Sequence, residues 1–107
     1  MTATPERLVV MLYDGLHRFL TQATVAMRQG EIAQTNDRLQ RAEAIISELN
    51  ATLDMSAGEI AERLRAIYTF SRRHLSEARI ERNPQKIEHV SRLLGELRES
   101  WAQVAGE

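Results

Sequence analysis

Residues 83–104 read NPQKIEHVSRLLGELRESWAQV, and their apolar members decide the fold. Ile87, Val90, Leu94, Leu97, Trp101 and Val104 recur at alternating steps of three and four. At about 100° per residue, that spacing draws a single stripe along an α-helix. Asn83 offers a capping side chain, and Pro84 takes the first helical position, where its missing N–H costs nothing.

Working outward, the same pattern returns three times. Ile32, Thr35, Leu39, Ala42, Ile46, Leu49 and Leu53 form an equivalent seam. A third stripe carries Ile60, Leu64, Ile67, Tyr68, Ser71, Leu75 and Ala78, and a fourth carries Leu8, Leu12, Leu16, Phe19, Ala23 and Ala26. Thr4-Pro5-Glu6 repeats the cap-then-proline signal, Ser56 with Glu59 reads as a capping box, and Gly30 ends the first segment. The spacing predicts helices over about 5–29, 33–52, 57–82 and 84–104, with short connections that favour antiparallel neighbours. The expected fold is all-α, an antiparallel four-helix bundle in one domain spanning 1–107.

More apolar surface is present than one seam per helix requires. Val10, Met11, Ile45, Phe70, Ile80 and Leu93 fall outside the main stripes or at their edges. Single exposed hydrophobes are ordinary, but several around a small bundle point to grooves for an apolar partner, a wider core arc or a face between copies.

Chemistry is harder to find. The chain has no Cys, which removes disulfides and thiolate metal sites and fits a reducing compartment. Its start, MTATPERLVVMLYDG, lacks the basic region and cleavage signal of a secretory leader, and no apolar run approaches the roughly 20 residues of a membrane span. Net charge is −1. Arg63, Arg65, Arg72, Arg73, Arg79 and Arg82 crowd one segment, but Glu59, Glu62, Glu77 and Glu81 interleave with them as on a solvated helix face. That balance argues against nucleic acid, which needs an uncompensated basic patch. Asp14 and His17 have the spacing of a di-iron bundle ligand pair, yet the second pair is missing around His74 and His89. No phosphate loop, nucleophile elbow or zinc motif occurs. The expectation is no enzyme, no cofactor and no metal.

Four stretches carry a resemblance: LVVMLYDGLHRFL at 8–20, AIISELNATLDM at 44–55, GEIAERLRAIYTF at 58–70 and IEHVSRLLGELRESW at 87–101. Together, in order and over nearly the whole chain, they resemble the flagellin-specific export chaperone family, commonly called FliS. The resemblance implies a cytoplasmic four-helix bundle that binds the disordered C-terminal segment of flagellin. Holding that segment would prevent premature polymerisation and keep flagellin competent for flagellar type III export. It also implies helix-in-groove recognition coupled to folding, with no cofactor. Family members usually carry an N-terminal arm before the stretch matching Thr4-Pro5-Glu6, where Met1 stands here. Apolar surface left uncovered predicts weak, concentration-dependent self-association.

From their angles, Tyr13, Ile45, Leu49, Phe70 and Leu93 are the expected client contacts. Tyr13 is expected at the rim with a wet hydroxyl, Asp14 in solvent, and Gly15 where a neighbouring helix approaches closely. Tyr68 is expected in the core, and Leu53 and Asp54 as loop anchors. Two other functions fit the same bundle: an adaptor for another amphipathic segment, including a regulatory protein of the same export system, and a self-associating structural bundle.

Overall fold

The computed structural model describes residues 3–106. Among them the chain forms four α-helices and no strand: α1 Pro5–Arg28, α2 Ile32–Ala51, α3 Glu59–Glu81 and α4 Pro84–Val104. Thr4 Oγ1 accepts from the Arg7 N–H at 3.2 Å, and Asn83 Oδ1 from the Gln85 N–H at 3.1 Å. Each fills one of the orphan donors of a helix start, with proline just behind it.

The expected Ser56–Glu59 box is not what starts α3. Asp54 Oδ1 takes the Ser56 N–H at 3.0 Å, and Met55–Ala57 close into a single 3-10 turn. A carboxylate two residues ahead wins the donor that a box would have used. Gly58 then turns the chain at φ +71°, where only glycine is unstrained, and α3 begins at Glu59.

α1 packs against α2 and α4, and α3 packs against the same two, so α1 and α3 lie diagonally opposite. The register is antiparallel throughout. Gly15 faces Ile45, Asp14 bonds Arg98, and Glu43 bonds Arg79. Leu20, Leu39, Ile46, Leu75, Ile87 and Val90 are fully buried between the helices. Because α1 is flanked on two sides its buried arc is wide, and Val10, expected outside the stripe, is buried too. A Cβ at Gly15 would stand 3.5 Å from Ile45 Cδ1, an ordinary contact. Glycine is therefore not required there for close approach.

Four residues assigned by angle to buried stripes remain in solvent: Leu8, Ile32, Ile60 and Val104. All lie in the first or last turn of their helices.

Candidate functional site

Two of those exposed residues mark the site. Where α1 and α3 begin, an apolar groove of about 550 Å³ opens across the diagonal of the bundle. Pro5, Leu8, Val9 and Leu12 of α1 form one wall, and Ile60, Ala61 and Leu64 of α3 form the other. Leu49 and Leu53 lie at its base, and Trp101 of α4 closes one side. Leu8 is 50% and Ile60 69% exposed, so each wall ends in a large side chain facing water.

Sequence and packing produce this opening together. The diagonal pair α1 and α3 has no direct backbone packing to close the gap between them. Leu53, tucked against the core just past the end of α2, holds the connection low, and Asp54 then turns it into the 3-10 helix. Both residues anchor the loop, as expected.

Beneath the groove the two diagonal helices are joined by a hydrogen bond. The hydroxyls of Tyr13 and Tyr68 meet at 2.6 Å, and both side chains are buried. Burial first, and then the contact with Tyr68, raises the Tyr13 hydroxyl well above its ordinary titration range. The Trp101 indole, a donor toward the same oxygen, works in the opposite direction. Burial likewise raises Tyr68, opposed by the bond from Tyr13. Both phenols stay neutral, and the pair fixes the groove floor.

That arrangement corrects the expectation for Tyr13, which lies inside rather than at a rim and whose hydroxyl is dry. One helix's angles put Tyr13 at an edge because they ignore a diagonal partner. Leu49 is also core rather than edge, although its side chain reaches the groove base. Ile45 is half-buried against the core beside Gly15. Leu93 is half-buried on α4, and Phe70 is exposed on α3, stacked on His74 with centroids 5.0 Å apart. The five residues therefore do not form one surface. Leu8, Leu53, Ile60, Leu64 and Trp101 were absent from the expected contacts. Their signal was position: Leu8 and Ile60 stand within a turn of Pro5 and Gly58.

Polar groups elsewhere are mostly paired or solvated, the buried Ser71 Oγ, Asn50 Oδ1, Arg38 Nε and Arg79 Nε excepted. Asp14, expected in solvent, accepts from Arg98 Nε at 3.0 Å, and the exposed His17 meets Ser91 Oγ at 3.1 Å. His74 and His89 stand 5.2 Å apart, edge to face. Among the described residues no three metal-ligating side chains gather, and no helix is long and apolar enough to cross a membrane. The site offers hydrocarbon, shape and a rigid floor, which suit holding an apolar segment.

Comparison with known proteins agrees with a binding role. The model of the family described as flagellar protein FliS matches residues 1–107. The flagellar secretion chaperone FliS of Salmonella typhimurium is 36% identical over 107 residues, covering 98% of this chain and 79% of that protein. The protein of the same name from Campylobacter jejuni is 38% identical over 102 residues, covering 94% and 80%. That of Vibrio cholerae is 33% identical over 106 residues, covering 98% and 78%.

Proposed function

This chain belongs to the FliS family of flagellar secretion chaperones, and on that premise we propose that its client is flagellin, held by its C-terminal segment in the groove between α1 and α3. The observation that carries this reading is the uncovered groove itself, with Leu8 and Ile60 projecting into water at its mouth. An amphipathic helix presents apolar side chains at i, i+3, i+4 and i+7, which is the pattern such a groove accepts.

Magnitudes allow it. Burying each aliphatic anchor gives about 1.5–3 kcal/mol, so about four anchors outweigh the roughly 2–5 kcal/mol of ordering a disordered segment. A client segment held this way is kept from pairing with other subunits yet can be released without breaking a covalent bond. In that role the chaperone works in the cytoplasm, on flagellin awaiting type III export. Neither cofactor nor metal enters the reading.

Titration with a flagellin C-terminal peptide tests it by circular dichroism and calorimetry. The mixture gains helix beyond the sum of its parts, and Leu8→Asp with Ile60→Asp abolishes the gain while the free chaperone melts as before. Unchanged affinity in that double variant would sink the groove assignment. An adaptor for a different segment would show no gain with flagellin. The same uncovered hydrocarbon gives the free chain a weak tendency to pair with itself at high concentration. Sedimentation velocity would show that pairing lost on adding the peptide.

A further inference from the structure

The arginine-rich segment is left unexplained by the client groove, and the structure changes its meaning. Interleaved glutamates suggest a neutralised face, but three of the four are taken up by partners other than Arg65, Arg72 and Arg73. Glu59 pairs with Arg63, Glu77 and Glu81 with Lys86, and Glu43 of α2 with Arg79. Among the described residues Arg65, Arg72 and Arg73 form no salt bridge, Arg73 acting on Glu77 only through space, and the acidic residue sharing their hollows without a partner is Glu62. The outward face of α3 is thus locally basic on a chain whose net charge is −1.

Those arginines frame apolar relief. Two shallow hollows of about 450 and 310 Å³ adjoin along α3 and share Thr69 and Arg73. Phe70, 41% exposed, and Met55, 44% exposed, line the larger one. At about 100° per residue, Thr69 and Arg73 point away from Leu64 and Tyr68, which line the client groove. A partner on this face would leave the groove free.

We propose that the outward face of α3 is a second docking surface, which takes an acidic amphipathic helix whose apolar side chains seat beside Phe70 and Met55 while its carboxylates meet Arg65, Arg72 and Arg73. Charge complementarity selects the occupant. Arginine binds carboxylates in bidentate pairs, and an exposed aromatic between arginines is the composition of an interface centre. Three cations against one anion are too few to hold a polyanion such as a nucleic acid, whose binding rests on many phosphate contacts. This surface goes beyond the flagellin reading and does not depend on it.

The test uses the full chain and a labelled synthetic peptide of about 18 residues, with Leu at helical spacing on one face and Glu on the other, beside a twin with every Glu replaced by Lys. The acidic peptide binds, its affinity falls as salt is raised, and the Lys twin does not bind. Arg65→Glu/Arg72→Glu/Arg73→Glu weakens acidic-peptide binding by at least about tenfold, and Phe70→Ser weakens it with the arginines intact. Both variants keep the wild-type melting profile and the wild-type response to the flagellin peptide. Absence of acidic-peptide binding, equal binding of the Lys twin, indifference to the arginine variant, or displacement by the flagellin peptide would each overturn the proposal. So would arginine-dependent binding of an oligothymidylate or of phosphatidylglycerol vesicles stronger than that of the acidic peptide.

Discussion

Where α1 and α3 end and α2 and α4 begin, the bundle is fastened by charge: Arg28 holds Glu88 at 2.7 Å, and Lys86 holds both Glu77 and Glu81 at 3.0 Å. Arg79 reaches from α3 to Glu43 of α2 at 2.9 Å and ties a further pair of helices near the same end. At the opposite end Leu8, Ile60 and Trp101 surround an apolar groove, whereas the exposed Ile32 and Ile80 sit among the ion pairs of the charged end. The Asp14–Arg98 pair lies more than about two turns into α1 from Pro5. The difference teaches how a small bundle can be both stable and receptive. Exposed ion pairs add little energy individually but fix which helices meet, whereas an open apolar end is free to exchange water for a client.

The largest expected effect comes from making one substitution at each end. Ile87→Ala, in the closed core of α4, destabilises by about 2–5 kcal/mol in urea denaturation, because it empties a fully buried site. Ile60→Ala, at the open end, changes stability by no more than about 0.5 kcal/mol yet weakens the flagellin peptide. Equal destabilisation by the two would break the comparison.

Next is the hydrogen bond that spans the diagonal under the groove. Tyr13→Phe leaves the Tyr68 hydroxyl buried without this partner and costs about 1–3 kcal/mol. Tyr13→Phe/Tyr68→Phe costs less than the sum of the single changes, since removing both hydroxyls leaves neither stranded. Additive losses in denaturant would show that the pair does not act as a unit.

A smaller effect sharpens the picture of the middle of the bundle. Gly15→Ala raises stability by up to about 1 kcal/mol, because a helix-interior glycine is replaced where the added methyl meets Ile45 at contact distance. A loss in thermal melting would mean that α1 and α2 tolerate no added methyl there.

The smallest effect is on pH, and it separates the ends by order rather than by size. Hydrogen bonding from Lys86 holds the Glu77 carboxyl below its ordinary value of 4.5, and Arg28 does the same for Glu88. A carboxyl depressed in the folded state stabilises it above the unfolded value, and that contribution is lost as pH falls through the folded value. Acidification below 4.5 therefore loosens the charged end first, since the depressed carboxyl beside the groove, Asp54, starts from a lower ordinary value of 3.8. Amide-exchange protection should fall in the last turn of α3 and first turn of α4 before it falls beside the groove. Simultaneous loss at both ends would remove the distinction.

Much of this molecule is legible along the chain because its signals are local. Alternating steps of three and four mark each helix, and Thr4-Pro5 and Asn83-Pro84 mark two starts through bonds that span two or three residues. Ser56 misled because Asp54, only two residues away, competes for the same donor. Family membership was legible for a related reason: its motifs run in order over the whole chain.

The sequence by itself determined that four amphipathic helices form, where α1 and α4 start, and that the four must bury their stripes against one another. Tertiary structure alone decided which apolar residues stay wet. Leu8 and Tyr13 share the same helix, yet one projects into water and the other bonds Tyr68 inside the core. A helical angle records direction around one axis; exposure also depends on how far the neighbouring helices reach along it and on which helix lies across the diagonal. Those two quantities are set by packing between segments distant in sequence, so the groove and the basic face of α3 emerge only when the bundle is assembled.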